Sequence, residues 1–154
     1  MNNRYARSIV AGFVATLALS ILMIIKGAMG MLPQMNVIRL LAGMAHAHLE
    51  LPPSPGIGWI AHFLIGTLLW GIGFALLYKV LPGRAAVVKG LSFSVLAWLL
   101  MMLVPLPMAG AGLFGLKLGP MVPVATLVLH LVWGAVLGWT YGKLGPREAL
   151  LEAS

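Results

Sequence analysis

Residues 120–141 read PMVPVATLVLHLVWGAVLGWTY and include no Asp, Glu, Lys or Arg. A helix needs roughly 20 mostly apolar residues to cross a hydrocarbon layer about 30 Å thick, because each residue rises about 1.5 Å. This stretch is long enough, and residues 8–25, 57–78 and 90–108 share its length and lack of charge. The sequence therefore predicts four membrane-spanning helices.

The overall composition agrees with this prediction. The chain has 154 residues, of which 61% are hydrophobic and 8% charged, and its mean hydropathy is +1.02. About a quarter of the residues of a soluble domain are charged. Four spans and their connections use the available length, so we expect one all-α membrane domain over residues 1–154, a four-helix bundle with no separate soluble module.

The basic residues predict the orientation of the bundle. The formal net charge is +7, and most Lys and Arg residues lie in the short ends and the middle loop, where an excess marks the cytoplasmic face. Both termini should therefore be cytoplasmic, with anionic lipids as partners at that face and no nucleic acid. On that side lie Arg4, Arg7, Lys79, Arg84, Lys89, Lys143 and Arg147, and on the other side lie Lys26, Arg39 and Lys117.

The connection after the first span is the longest and contains an amphipathic stretch. Apolar residues recur at three- and four-residue spacing from Val37, opposite Gln34, Arg39 and His46. We expect an interfacial helix over residues 33–49 on the outer side, ended by the prolines of residues 52–55. A re-entrant segment is the alternative. Between spans two and three, Pro82 and Gly83 predict a short turn, which makes these spans sequential neighbours.

A weak internal repeat is present. A His lies four residues before a Gly in span two (His62, Gly66) and in span four (His130, Gly134). Earlier in each half, a Gly lies four residues before a hydroxyl residue. The pattern favours a parallel duplication of two helical hairpins.

Small residues at four-residue spacing, Gly134, Gly138 and Gly142, form a stripe along span four. Such a stripe lets a neighbouring helix backbone approach closely. The neighbour is either another helix of the same bundle, with Gly66 and Gly71 of span two as the expected counterpart, or a second copy or partner subunit.

Prolines interrupt the outer ends of spans three and four. Each removes an amide donor and disfavours helical angles in the preceding residue. We expect breaks at Pro105 and Pro107, then a flexible apolar loop that includes Phe114, then Pro120 in the first turn of span four. Together these four residues are a candidate outer gate.

The candidate polar site within the spans consists of His62 and His130, which we expect about 8 Å and 15 Å from the outer boundary at 1.5 Å per residue. Three interpretations remain open: imidazoles bonded within the core, ligands of haem iron or copper, and a proton or substrate site. Methionines concentrate on the outer side, which suits copper. His46 and His48 are further metal candidates, although two residues apart they do not share a helical face. No cofactor is predicted.

Missing residues exclude several activities. The chain has no Asp and no Cys, and its three Glu lie outside the predicted spans. Aspartyl proteolysis and cation export coupled to an intramembrane carboxylate are therefore excluded. Ser92, Ser94 and Ser20 lie in the spans with the histidines, so a serine and histidine pair can be considered, but no nucleophile elbow or oxyanion motif accompanies them. We expect no enzyme.

Several segments together resemble a known group of proteins. They are MLPQMNVI (residues 31–38), GIG (71–73), MAGAGLFG (108–115) and LHLVWGAVLG (129–138), followed by Tyr141 and Gly142. Together they are similar to a family of uncharacterised four-span bacterial inner-membrane proteins that is distantly similar to the YagU-like proteins. The resemblance implies a bacterial cytoplasmic membrane. No activity is established for that family, so no site residue is transferred from it.

From these features we expect a non-enzymatic membrane protein that acts through helix contacts, as an accessory subunit of a larger complex or as a self-assembled scaffold. The first alternative is a small transporter or channel for a neutral or apolar solute. The second alternative is a haem- or copper-binding protein that uses His62 and His130.

Overall fold

The computed structural model describes residues 3–33 and 35–145, and every regular element in these ranges is a helix. Four stretches are long and apolar enough to cross a membrane, as predicted; we call them spans one to four. They are Arg4–Ala28, Pro55–Leu77, Ala86–Met108 and Val122–Lys143. Gln34 and Arg147, which the sequence analysis used, lie outside the described residues.

Spans one and four are single helices, α1 and α7, whereas spans two and three are interrupted. Span two consists of α3 (Pro55–Leu64), a π-helical segment (Ile65–Leu69) and α4 (Trp70–Leu77). Span three consists of α5 (Ala86–Leu103) and α6 (Pro105–Met108), with the break at Val104 that the prolines predict.

Several helices are longer than the apolar runs that predicted them, because polar residues at their ends also adopt helical structure or cap the helix. Asn3 begins α1, and its side-chain oxygen accepts a hydrogen bond from the Tyr5 amide at 2.9 Å. The four amides at a helix start have no partner within the helix, so such a cap fixes where the helix begins.

The amphipathic helix α2 (Val37–Leu49) is shorter than predicted. It begins after Asn36, whose side chain accepts from the Arg39 amide at 3.0 Å, and not at Pro33. It buries Ile38, Ala42 and Ala45. Helix α2 packs closely on span two: a Cβ added at Gly58 would lie against Ile38. Arg39 and His46 are exposed, as expected for the polar face; the pattern also placed His48 in line with Val37 on the apolar face, but His48 is exposed.

The spans form an open arc in the order two, one, four, three. Span one packs along both span two and span four, and span four packs along span three. Spans two and three follow each other in sequence but contact each other mainly through Phe93, whose ring lies 5.3 Å from that of Phe74 and 5.9 Å from that of Trp70. The arc is therefore closed at the end that holds the chain termini, the terminal end, and open between spans two and three towards the other end, the α2 end.

Spans one and two touch through backbone. A Cβ added at Gly12 would lie 2.9 Å from the Gly66 carbonyl oxygen, and one added at Gly71 would lie 3.1 Å from the Ser8 carbonyl oxygen. The Ser8 hydroxyl donates to the Gly71 carbonyl at 2.6 Å. Gly66 lies directly against Thr16. Only glycine permits this separation, since any side chain would push the helices apart.

Spans three and four repeat this contact with corresponding residues. A Cβ added at Gly90 would lie 2.8 Å from the Gly138 amide nitrogen, Gly134 lies against Ser94, and Gly138 lies against Ala86. The expected pairing of the span-four glycines with Gly66 and Gly71 is therefore wrong. Each hairpin uses its own glycines, because the facing small residues are on the preceding span and not on the other hairpin.

The π-helical segment compensates for a difference in glycine spacing between span two and span four. Gly66 and Gly71 are five residues apart, whereas Gly134 and Gly138 are four apart. The segment Ile65–Leu69 has the wider π turn that accommodates one extra residue. As a result both glycines of span two face span one, as both glycines of span four face span three.

Two buried clusters pack the ends of the bundle. At the terminal end, Phe74, Tyr78, Phe93 and Tyr141 form what we call the aromatic seal, with Tyr78 and Tyr141 only 4.6 Å apart between ring centroids. The Arg7 guanidinium lies 4.2 Å over the Tyr141 ring. At the α2 end, a separate cluster is made of Met35, Met102, Leu106, Ala111 and Val122.

Gly134→Ala should destabilise the bundle by about 1–3 kcal/mol, because the added methyl group overlaps Ser94 and must force spans three and four apart. Thermal unfolding in detergent measures the loss. The control is Gly27→Ala on α1, where nothing lies within 4 Å of the new methyl group. Equal stability of the two variants would contradict the close packing of spans three and four.

Candidate functional site

A cavity of about 310 Å³ lies inside the arc, and all four spans and α2 contribute to its walls. The walls are almost entirely apolar. Five lining side chains carry a hydroxyl, amino or imidazole group: Thr16, Lys26, His62, Thr126 and His130. An apolar cavity with a few polar groups is the usual form of a site for a small molecule.

The cavity opens sideways between spans two and three. Leu69 on one side and Leu100 and Val104 on the other line this opening and are 59%, 44% and 46% exposed. Towards the terminal end, Trp133 lines the cavity and belongs to the buried cluster of the aromatic seal. Towards the α2 end, Val37 and Leu41 of helix α2 cover it. The side opening therefore faces the region that lipid occupies when the spans cross a bilayer.

His62 is held by a hydrogen bond from span two to span one. Its Nε2 lies 3.2 Å from the Ser20 hydroxyl oxygen, and that hydroxyl lies 2.7 Å from the Thr16 carbonyl oxygen. A carbonyl only accepts, so the single hydroxyl proton of Ser20 is given to Thr16. His62 Nε2 must then carry a proton and donate to Ser20, which leaves Nδ1 as an acceptor.

The same contact argues against a serine nucleophile. In a nucleophile and base pair, the serine proton points at an unprotonated imidazole nitrogen. Here the proton direction is reversed, because Ser20 donates to its own helix and accepts from His62. The structure thus brings together the serine and histidine that the sequence analysis considered, in an arrangement that holds helices and does not activate the hydroxyl.

His130 is held within span four. Its Nδ1 lies 2.8 Å from the Thr126 carbonyl oxygen one turn earlier, so Nδ1 carries the proton. In a neutral imidazole, Nε2 is then an acceptor. It lies on the far side of the ring from the helix backbone, because Nδ1 points at that backbone.

The threonine hydroxyls of the cavity wall are occupied. The Thr16 hydroxyl accepts from the Trp133 indole at 3.3 Å and is fully buried. The Thr126 hydroxyl accepts from Trp98 at 3.1 Å and donates to the Val122 carbonyl. These bonds satisfy polar groups that an apolar interior would otherwise penalise.

The acceptor nitrogens of the two histidines have no hydrogen-bond partner among the described residues. In the described part of the chain, the buried side-chain polar atoms without a partner are Arg7 Nε, Thr67 Oγ1 and Thr140 Oγ1. Neither histidine acceptor nitrogen has a partner or is one of these enclosed atoms, so both reach open space, and both residues line the cavity.

The structure places the histidines at similar depth. His62 is seven residues into span two and His130 eight residues into span four, which corresponds to about 10 Å and 12 Å of helix. The expected 8 Å and 15 Å differ because the spans begin at Pro55 and Val122. Both residues line the same cavity.

Lys26 is a site residue that the sequence analysis counted only as an outer charge. Its Nζ donates to the carbonyl oxygens of Met35 at 2.8 Å and Leu32 at 3.3 Å. The ammonium group therefore fastens the connection before α2 to the end of span one. Its position in the last turn of an apolar helix, where a lysine reaches carbonyl groups, is the signal for this role.

The other metal candidates lie elsewhere. His46 and His48 are exposed on α2, outside the cavity, and His46 Nδ1 lies 2.9 Å from the Leu51 carbonyl oxygen. No group of three or more metal-ligating side chains occurs among the described residues. The arrangement at these two histidines is that of a surface helix end.

The candidate gate residues surround the α2 end without forming one group. Pro105 lines the cavity and Pro107 lies beside it in α6. Phe114 has a left-handed backbone (φ 55°) and packs on Trp98, with ring centroids 5.9 Å apart. The loop is not extended: residues Leu113–Leu118 turn tightly, with a kink at Phe114 and Gly115, whose backbone angles are left-handed. Pro120 precedes α7 and is not in its first turn.

A comparison with protein families finds a match over residues 2–152 to a family described as "Family of unknown function (DUF6789)". The chain belongs to the DUF6789 family. Searches of the curated proteins and of the solved structures return no match. The match covers all four spans, so membership in DUF6789 applies to the whole bundle and its cavity.

Nitrogen-15 NMR of histidine-labelled protein in bilayers should show opposite tautomers, with the proton on Nε2 in His62 and on Nδ1 in His130. Ser20→Ala should perturb the His62 signal only, because Ser20 is its hydrogen-bond partner. Ser92→Ala is the control, since Ser92 bonds to its own helix at Val88. The same tautomer at both histidines would contradict the hydrogen-bond directions given above.

Proposed function

We propose that this DUF6789 protein is a non-enzymatic, multi-pass protein of the bacterial cytoplasmic membrane that binds a neutral or apolar solute in its internal cavity and transports it. The observation that carries the proposal is the apolar cavity that opens sideways between spans two and three. A solute dissolved in the bilayer reaches such an opening without crossing water.

The ends of the cavity suggest the route. The aromatic seal closes the terminal end with buried side chains, including Phe74 and Tyr141. At the α2 end, Val37 and Leu41 of helix α2 line the cavity, and the nearby connection between spans three and four is rich in glycine and proline. We propose that Pro105, Pro107, Phe114 and Pro120 belong to a gate at this end, and that the solute exchanges between the bilayer and the face beside α2.

The accessory-subunit or scaffold hypothesis now has less support. It rested in part on the stripe of Gly134, Gly138 and Gly142, and all three glycines face span three of the same chain. The haem or copper hypothesis stays an alternative. Each histidine keeps one ring nitrogen free of protein hydrogen bonds, as an imidazole ligand does, but no group of three or more His, Cys, Asp or Glu side chains occurs among the described residues. A homo-oligomer or a larger complex remains a hypothesis for native mass spectrometry of gently extracted protein.

We propose the orientation and setting from charge and surface. Large apolar side chains are exposed on all four spans, for example Ile21, Leu64, Leu103 and Val128, which suits contact with lipid. The basic residues near the terminal end favour a cytoplasmic position for both termini. The bacterial origin and the distant similarity to YagU-like proteins rest on the sequence resemblance alone.

We also propose that the two hairpins arose by duplication. The supporting observation is the matched set of contacts: Gly12 and Thr16 meet span two as Gly90 and Ser94 meet span four. The extra residue in the π-helical segment is then an insertion in the first copy.

The orientation can be tested because the chain has no cysteine. Ala47→Cys at the α2 end should react with a membrane-impermeant maleimide in intact cells. Ala85→Cys, in the loop between spans two and three, should react only after the cells are permeabilised. Both alanines are exposed, so a difference in labelling reports the side of the membrane and not burial in the protein. The reverse labelling pattern would overturn the orientation.

The cavity can be tested with tritiated hexadecane and protein in lipid nanodiscs, using a scintillation proximity assay. Leu100→Trp should reduce specific binding severalfold, because Leu100 lines the side opening and an indole there obstructs it. Leu99→Trp is the control, since Leu99 is exposed on the same helix but does not line the cavity. Absence of specific hexadecane binding by the unmodified protein would refute the proposed function.

A further inference from the structure

The acceptor nitrogens of the two histidines define which solute fits. Among the described residues, His62 Nδ1 and His130 Nε2 are ring acceptors without a protein partner in walls that are mostly apolar, and the indole N–H of Trp70 in the same wall has no protein partner either. Each of the two histidine nitrogens is an acceptor, because hydrogen bonds to Ser20 and to the Thr126 carbonyl fix the ring protons on the opposite nitrogens.

We propose that the cavity selects a neutral molecule with a hydroxyl group on an apolar body, of the class of long-chain alcohols. This inference rests on the proposed function and names its substrate class. The hydroxyl donates to a histidine nitrogen, His130 Nε2 first, while the apolar body lies against the leucine, methionine and tryptophan side chains of the wall.

The neutral histidines disfavour other head groups. An ether, ester or ketone offers only lone pairs, and a carboxylate adds a negative charge, so none of these donates to an imidazole acceptor. An imidazolium would reverse this preference, but a charge in apolar surroundings without a carboxylate partner is costly. An alkane fits the walls but leaves the nitrogens unpaired.

Lys26 does not convert the cavity into an anion site. Its ammonium group lies at the α2 end and already donates to two carbonyl oxygens, those of Leu32 and Met35. The third N–H of the ammonium group remains available, but a carboxylate bound to it would lie at that end of the cavity and not at the histidines. The polar groups deeper in the cavity are the histidines, about 10–12 Å of helix below the start of their spans.

The threonines of the wall do not compete for the hydroxyl. Thr16 is fully buried against Gly66, and Thr126 gives its proton to the Val122 carbonyl. The histidine nitrogens are thus the groups in this wall that a ligand proton reaches. Because they lie on different hairpins, a ligand bound there occupies the space between the two halves of the bundle.

The test is competition against tritiated hexadecane with protein in nanodiscs. The probes are 1-hexadecanol, hexadecyl methyl ether and palmitate, which share chain length and differ in the head group. One net hydrogen bond predicts that the alcohol binds about two- to tenfold more tightly than the ether. His130→Leu should abolish this difference, His130→Gln should retain it because the amide oxygen accepts, and His46→Leu, outside the cavity, should leave it unchanged.

The outcomes separate the two proposals. Equal affinity of alcohol and ether in the unmodified protein, or tighter binding of palmitate, would overturn the selectivity and leave the apolar cavity intact. No specific binding of hexadecane at all would overturn the proposed function itself. The alcohol and ether comparison needs no substitution, so a His130 variant that fails to fold does not remove the test.

Discussion

The backbone contact between paired helices is the constraint on which the rest of this structure depends. Hydrophobic burial gives little preference for one helix neighbour over another inside lipid, because the alternative surroundings are equally apolar. Close approach at Gly66 and Gly71 on one side, and at Gly134 and Gly138 on the other, supplies van der Waals contact that lipid does not match. Each glycine pair fastens a span to the one before it. The two hairpins are then joined along spans one and four, and the cavity is the space left on the open side.

Most polar side-chain groups that line the cavity have a hydrogen-bond partner in the protein. Serine and threonine hydroxyls bond to carbonyl groups of their own helices and accept from tryptophan or histidine of a neighbour. An apolar interior makes each unpaired group costly, so these bonds fix side-chain positions and ring tautomers together. The acceptor character of the cavity therefore follows from Ser20 and Thr126, which do not themselves offer a free group to the ligand.

The sequence predicted much of the fold and little of the site. Apolar length identifies the four spans, and proline identifies the break at Val104, because both are local properties of the chain. The partner of Gly134 could not be predicted: glycine spacing shows that a backbone approaches, but not which one. The extra residue between Gly66 and Gly71 obscured the repeat. The hydrogen bond from His62 to Ser20 joins residues 42 positions apart in different spans, and nothing in the pattern of either span specifies that distance. Lys26 was counted only as an outer charge, because charge alone does not reveal the carbonyl groups within its reach.

The aromatic seal has a consequence for the membrane that holds the protein. Phe74, Phe93 and Tyr141 are almost completely buried at the terminal end, and the Arg7 guanidinium covers Tyr141. The bundle is thus hollow without being perforated: its cavity connects with lipid at the side, while densely packed rings separate it from the water beyond that end. If the proposed solute enters from the side, these rings give ions no path along the axis of the bundle, so that a cell producing many copies keeps its ion gradients.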